Sequence, residues 1–201
     1  AKIEKIVLLA PHLFADYPHG DGKDKFIDYY HALYETVQFL SGLEFMNVLW
    51  LVKPHPRSSD LGEQGIVEKV LKKYGNKYLR LCPKINTFNL IQVSDLVVTS
   101  TGRIALEFAC YGKKPITSGI NHISKYNLFE TSISKNHFFS QLKNIKKITK
   151  LNNTKKILAG NLMHFLDNRN PNITIKPGKL VNLFFSQNKS KVSEIIDPDK
   201  I

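Results

Sequence analysis

Two short polar segments of this chain carry residue types that bind phosphate groups. The segment 53–56 (KPHP) places a histidine between two prolines, and the segment 100–103 (STGR) places two hydroxyls and a glycine directly before a helical pattern. Histidine N–H groups donate to phosphate oxygens, and exposed backbone N–H groups at a helix start favour anions. The two segments together predict a pocket for a phosphorylated ligand, and a nucleotide is the ligand that we expect.

The residues of these segments also have structural alternatives. His55 is either a phosphate donor or a loop histidine held by the prolines for turn geometry, and Lys53 is either a phosphate contact or a solvated charge. Ser100 and Thr101 fit a helix N-cap, which contributes about 1 kcal/mol to stability. Capping and phosphate binding use the same donors, so the two roles are compatible. Gly102 lets a ligand approach the backbone closely.

Glu107 lies four residues after Arg103 in an otherwise apolar run. A carboxylate is costly to bury there unless it is paired. One alternative is an ion pair with Arg103, one helical turn earlier. The other, which we favour, is that Glu107 accepts hydrogen bonds from ribose hydroxyls one turn above the phosphate site.

The loop after the first apolar run offers His12, Asp16 and His19. Their spacing is not that of a helical metal-ligand pair and no further ligand is evident, so we expect no metal. The loop is either a substrate contact or purely structural. His12 and Asp16 are the weak candidates for a catalytic role.

These side chains need a scaffold that brings them together. Apolar runs rich in β-branched residues alternate with runs whose apolar residues recur every three or four positions. The predicted strands are Ile3–Ala10, Asn47–Val52, Tyr78–Cys82, Asp95–Thr99 and Pro115–Thr117. The predicted helices between them are Phe26–Leu40, Ile66–Tyr74, Phe88–Val93 and Arg103–Tyr111. This order predicts a three-layer α/β domain, a parallel sheet of five or more strands with helices on both faces and with His55 and Ser100 at its carboxyl edge.

The second half of the chain has weaker patterns. Residues 121–134 are predicted to form a loop with a turn or two of helix, and Lys135–Ile145 and Asn153–Phe165 to form peripheral helices. Asp167–Lys179 is predicted to be a connector and Leu180–Phe185 a last packing segment.

Composition and charge narrow the function classes. The chain has 201 residues, 42% of them hydrophobic, and a formal net charge of +12. The charge has three interpretations: attraction of nucleotide phosphates and an acidic acceptor, contact with an anionic membrane face, or a solvated lysine-rich surface. Aromatic residues lie in apolar periodic runs and not among basic residues, so we expect no nucleic acid partner. No apolar run approaches the ~20 residues of a membrane span.

Other signals concern compartment and chemistry. The two cysteines have no metal-site or disulfide spacing, which fits a reducing, cytoplasmic compartment. The patterns of P-loop NTPases, classical dehydrogenases, α/β-hydrolases and zinc proteases are absent. A strand-like run begins almost at Ala1, so we expect the chain to start within a longer protein.

Five segments of the chain resemble the capsule polysaccharide biosynthesis glycosyltransferases, which include the Kdo transferases of capsule export systems. They are Leu9–Asp16 (LAPHxFxD), Phe26–Tyr30 (FxDYY), Trp50–Pro56 (WLVKPHP), Ser94–Gly102 (SDLVVTSTG) and Leu106–Ile116 (LEFAxYGKKPI), within about residues 3–142. The chain is more distantly similar to CDP-glycerol glycerophosphotransferases and bacterial sialyltransferases.

This resemblance implies a GT-B arrangement, in which two Rossmann-like domains face each other and the C-terminal one binds the nucleotide-sugar donor. It assigns residues 1–145 to that donor-binding domain and residues 146–201 to peripheral helices and a tail on the same domain. It implies that His55, Ser100, Thr101 and Gly102 share the donor phosphate, that Glu107 orients the nucleotide, and that neither metal nor cofactor is needed. The donor is a nucleotide sugar, with CMP-linked donors among the options.

The resemblance also implies a glycan or glycolipid acceptor and a general base, both brought by an N-terminal domain that this chain lacks. We therefore expect the chain alone to be inactive. We expect a cytoplasmic location, with peripheral contact at the inner face of the inner membrane as an option. Arg103 departs from the small residue usual in the family, and we expect it to bind a second phosphate or a sugar carboxylate. The alternatives are a sugar-nucleotide 2-epimerase, a CDP-glycerol glycerophosphotransferase-like enzyme, and a noncatalytic basic binding module.

Overall fold

Strands and helices alternate along the chain, as the sequence predicts. The computed structural model describes residues 2–16, 24–43 and 47–168, so Leu180–Phe185 lies outside the described residues. The strands are β1 (Lys5–Ala10), β2 (Val48–Val52), β3 (Leu79–Leu81), β4 (Leu96–Thr99), β5 (Ile116–Thr117) and β6 (Glu130–Thr131). The helices are α1 (Tyr29–Ser41), α2 (Ile66–Tyr74), α3 (Thr87–Val93), α4 (Ile104–Cys110), α5 (Lys135–Lys143) and α6 (Asn153–Asn168).

The six strands form one parallel sheet in the order β3-β2-β1-β4-β5-β6. The chain enters at β1, adds β2 and β3 on one side, and then crosses back to add β4, β5 and β6 on the other. The strand order therefore reverses between β1 and β4, which is where ligands bind in open α/β sheets. His55 follows β2 and Ser100 follows β4, so the prediction that both lie at one edge of the sheet is confirmed.

Helices cover both faces of the sheet and make the three predicted layers. In β1, Val7 and Leu9 pack with the core under α1, α2 and α5, while Leu8 and Ala10 pack with α3 and α4. Successive side chains of β1 thus pack on opposite faces of the sheet, as expected for a strand that is buried on both faces. Helix α6 packs against α4, because the small side chains of Ala105 and Ala109 on α4 let the two helices approach closely. On α6 the same cluster contains Leu158, Ala159 and Leu162.

Several element boundaries differ from the predictions by one to three residues, and one strand was missed. Helix α1 begins at Tyr29 and not at Phe26, because the Asp28 side chain accepts a hydrogen bond from the His31 N–H and caps the helix. Strand β6 was predicted as loop, because two residues are too few to show alternation. The connector predicted from Asp167 begins inside α6.

Polar side chains clamp β1 to β4 at both ends. Asp95 Oδ2 accepts the Ile6 N–H at 2.8 Å before β4 begins, and the Thr99 hydroxyl donates to the Ala10 carbonyl at 2.7 Å where β4 ends. The second bond is buried, so breaking it leaves unpaired polar atoms away from water. These bonds fix the two strands that flank the reversal.

Truncation of Phe108 should destabilise the fold strongly. Its side chain is fully buried between α4 and the sheet, and Phe→Ala at such a site costs about 3–5 kcal/mol through lost burial and a cavity. Phe88→Ala is the matched control, because Phe88 is 57% exposed and its loss should cost less than about 1 kcal/mol. Urea unfolding followed by circular dichroism measures both, and equal losses would contradict the packing described.

Candidate functional site

His12 lies at the reversal point of the sheet, directly after β1. Its Nε2 is 3.3 Å from the backbone N and 3.2 Å from Oγ1 of Thr101, which follows β4. A backbone N–H only donates, so Nε2 accepts and the neutral ring carries its proton on Nδ1. Nδ1 faces Asp16 Oδ2 at 3.7 Å. The ring therefore lies between a carboxylate and the donors of the loop after β4.

The environment of His12 favours its neutral form. Its ring stacks on Tyr29 with centroids 4.5 Å apart, and the Tyr29 hydroxyl is 3.4 Å from Thr101 Oγ1. Burial lowers the pKa of His12; Asp16 and Asp24 raise it, and the nearby His55 lowers it further. His55 follows β2, which pairs in parallel with β1, so its loop leaves the sheet beside the loop that carries His12.

His55 is held by its own loop in a defined tautomer. Its Nδ1 accepts the Arg57 backbone N–H at 3.2 Å, so in the neutral ring Nε2 carries the proton, and among the described residues no hydrogen bond engages it. Lys53 is turned away toward α3, where its Nζ donates to Thr87 Oγ1 at 3.1 Å. The structure thus presents His55 as a donor and commits Lys53 to a contact within the protein.

The Ser100 hydroxyl belongs to a buried chain of hydrogen bonds. The Ser118 Oγ is 3.1 Å from Asp24 Oδ2 and 3.2 Å from Ser100 Oγ. The Ser118 hydroxyl is the donor toward both atoms, and its single proton serves one of them at a time. Ser100 therefore lies in a buried polar chain, and Thr101 is the hydroxyl that faces His12.

Two glycines let the loops after β4 and β5 approach each other. A Cβ on Gly102 would lie 2.9 Å from Thr99 Oγ1 and 3.4 Å from His12 Nε2. A Cβ on Gly119 would lie 2.5 Å from Thr101 Cγ2. Neither site has room for a side chain, and the glycines bring backbone close to Thr101 and His12.

The start of α4 differs from the predicted N-cap. Helix α4 begins at Ile104 with Arg103 at the N-cap position, and no side chain within the described ranges caps it. Ser100 and Thr101 therefore do not serve as caps here, and the structural alternative for these two hydroxyls is not realised.

Arg103 and Glu107 lie at the start of α4, Arg103 at the N-cap position and Glu107 in the first turn. The Arg103 guanidinium pairs with Asp167 at the end of α6 and lies 3.3 Å from Met163 Sδ. Its Nε is 4.0 Å from Glu107 Oε1, a distance that makes this ion pair weak. Glu107 is partly exposed and retains capacity to accept hydrogen bonds from a ligand.

Sequence analysis missed several residues that shape this site. Asp24, Tyr29 and Ser118 contact the predicted residues, and Asn121 Nδ2 donates to the Thr101 carbonyl at 3.0 Å. Ser118 directly follows a predicted strand, so the rule that identified His55 and Ser100 also identifies Ser118. Asp24 and Tyr29 carry no such signal, because only the packing of α1 brings them to the edge.

The remaining functional features of the described residues concern metal ligands, thiols and membrane spans. The described ranges contain no group of three or more His, Cys, Asp or Glu side chains arranged to hold a metal ion. Cys82 and Cys110 are free thiols, and burial raises the pKa of both. Among the described residues no helix is both long and apolar enough to cross a membrane.

Comparison with known proteins finds likeness in structure. No protein family model and no curated sequence match the chain. It is similar to S. aureus MnaA in complex with UDP, with 13% identity over 82% of this chain and 45% of that one, at a TM-score of 0.50. It is also similar to the beta Kdo 2,7 transferase KpsC of Thermosulfurimonas dismutans, with 18% identity over 78% of this chain and 44% of that one, at a TM-score of 0.48.

A third similarity is to the wall teichoic acid polymerase TagF soaked with CDPG, with 16% identity over 83% of this chain and 36% of that one, at a TM-score of 0.37. The chain spans less than half the length of these three proteins. At such low sequence identities, a structural similarity shows the fold alone. The chain has a Rossmann-like α/β fold.

Acidification should destabilise the protein through His12. Because its folded-state pKa lies below the ordinary value of 6.5, the unfolded chain binds a proton more readily between the two values. The free energy of unfolding therefore falls as the pH drops below about 6.5. His12→Gln should flatten this dependence in denaturant titrations between about pH 7 and pH 5, in the range where histidines titrate. An identical slope for both proteins would show that His12 is not the group responsible.

Proposed function

We propose that this chain is the donor-binding domain of a GT-B glycosyltransferase and that the site at the sheet reversal binds the donor phosphate. The observation that carries this proposal is the contact of His12 with the backbone N–H and hydroxyl of Thr101, beside the loop after β2 that carries His55. They bring imidazole, hydroxyl and backbone N–H groups to one edge, and these are the groups that bind a phosphate without a metal.

The donors at this site match the needs of a phosphate oxygen. The Thr101 N–H and hydroxyl point at His12 Nε2, which is an acceptor as a phosphate oxygen is. A bound phosphate takes these donors when the His12 ring turns aside, or it accepts from His12 once the ring is protonated. The His55 Nε2–H supplies a further donor from the loop after β2.

The same groups serve the transfer chemistry. When the glycosidic bond to the donor breaks, negative charge develops on the departing nucleotide phosphate. Fixed donors aimed at that phosphate stabilise the charge in the transition state. Glu107, one helical turn beyond the loop, is positioned on α4 to accept hydrogen bonds from ribose hydroxyls.

The finer assignment to capsule polysaccharide synthesis rests on the sequence resemblance in residues 9–116. The acceptor is assigned to the N-terminal domain that the resemblance implies, and contact with an anionic membrane face is assigned to the basic second half. Residues 131–166 contain no Asp or Glu, and seven lysines lie there: Lys135, Lys143, Lys146, Lys147, Lys150, Lys155 and Lys156. Such a surface attracts anionic partners electrostatically, and the range of this attraction decreases as the salt concentration rises.

Nucleotide titration tests the proposal. Calorimetry with UDP, CDP and CMP should show binding that His55→Ala and Thr101→Val each weaken by about 1–3 kcal/mol, the range for a hydrogen bond to a charged group. The double variant should lose less than the sum, because both residues act on one phosphate.

The matched control is His164→Ala, which removes an exposed histidine on α6 and should leave affinity unchanged. Wild-type protein that binds none of the three nucleotides would overturn the proposal. So would a His164 variant that is as impaired as the His55 variant, since binding would then follow total charge and not the site.

A further inference from the structure

Glu63 is a buried carboxylate that the site described above does not use. It lies in the loop between β2 and α2 and is 7% exposed. Its Oε1 accepts the Ala15 N–H at 2.7 Å, whereas its Oε2 is buried and, within the described parts of the chain, has no hydrogen-bond partner. Burying a carboxylate costs free energy that a single hydrogen bond does not offset. The stability of the fold therefore does not explain why a carboxylate is buried at this position. The contacts that Glu63 makes with two loops do explain it.

The backbone of Glu63 is tied to the loop that carries His55. The Glu63 N–H donates to the Ser58 carbonyl at 2.8 Å, and the Ser58 N–H donates to the His55 carbonyl at 3.0 Å. Ser58 is itself buried, so this part of the loop is a closed, packed turn. The position of Glu63 is thereby set relative to His55 by two consecutive hydrogen bonds.

The side chain of Glu63 reaches the neighbouring loop. Ala15, whose N–H it holds, is one residue before Asp16 and three residues after His12. A turn between Leu13 and Asp16, with the Asp16 N–H donating to the Leu13 carbonyl at 3.2 Å, makes this stretch a compact unit. Glu63 therefore joins the loop after β2 to the loop after β1.

We propose that Glu63 is a positioning residue that sets the placement of His12 and Asp16 relative to His55. It acts through Ala15 and touches no ligand, and its role in ligand binding rests on the proposed function. Two imidazoles from separate loops bind one phosphate well only when their separation matches that anion, and a loop tied at its backbone holds that separation better than a free one.

The test uses three variants and two measurements. Glu63→Gln keeps an oxygen acceptor for the Ala15 N–H, and Glu63→Ala removes it. Glu68→Ala is the control, because Glu68 is an exposed carboxylate on α2. The measurements are the titration of the His12 and His55 rings by NMR, without ligand, and the UDP dissociation constant by calorimetry.

Glu63→Ala should move the His12 titration further below its ordinary value, because the Asp16 contact that raises the His12 pKa outweighs the opposing effect of His55. It should also weaken UDP binding about tenfold, the scale of one lost interaction with a charged group. The groups that face His12 are Asp16, Asp24, His55, Tyr29 and Thr101. Of these, only Asp16 and His55 should change their placement in the Glu63→Ala variant. Glu63→Gln and Glu68→Ala should match wild type in both measurements.

Unchanged titrations and affinity in a folded Glu63→Ala protein would overturn the inference. So would a Glu63→Gln protein as impaired as Glu63→Ala, since the charge and not the bond to Ala15 would then matter. If Glu63→Ala does not fold, Glu63→Asp replaces it, because the shorter side chain withdraws the oxygen from Ala15. If wild type binds no nucleotide, the proposed function fails, but the ligand-free titrations still decide the role of Glu63.

Discussion

The parallel pairing of β1 with both β2 and β4 is the constraint on which the rest of the structure depends. It satisfies the backbone of β1 on both sides, and its residues are buried on both faces. Because the strands run in one direction and pair in register, Ala10 lies beside Thr99 and Thr99 beside Thr117. Loops that are far apart in the chain therefore follow strands that end at the same edge of the sheet, and these loops contact each other there.

Buried polar bonds then convert this meeting of loops into a defined site. The Thr99 hydroxyl joins β4 to β1, Asp24 anchors the hydroxyls of Ser118 and Ser100, and Glu63 holds the N–H of Ala15. Each bond is made away from bulk water, where an unmade bond is costly, so the loops have few alternative arrangements. A preorganised set of donors loses less entropy when it binds an anion.

Some lysines of the chain are bonded within the fold, whereas the candidate site itself is lined by groups that carry little charge. Several lysines are committed to the fold: Lys5 donates to the carbonyls of Ile145, Lys146 and Ile148, and Lys113 donates to carbonyls at the end of α3. These cations stabilise helix and turn ends that expose unpaired carbonyl oxygens. At the candidate site, Thr101 faces the imidazole of His12 and the hydroxyl of Tyr29, so the proposed phosphate binding would depend on hydrogen-bond geometry more than on net charge.

The sequence by itself determined the order of elements and which segments follow strands. Hydrophobic periodicity is local, so it located α2 to the residue and placed His55 and Ser100 at strand ends. It also singled out His12 and Asp16, although their spacing carried no sign of what they contact. The tertiary structure decided the rest, namely that β4 returns beside β1, that His12 meets Thr101, and that Asp24, Tyr29 and Glu63 reach the same loops. The physical reason is that strand order and loop contacts arise from the packing of residues far apart in the chain, such as Ser118 and Asp24, which are 94 positions apart, and no local pattern encodes such a pairing.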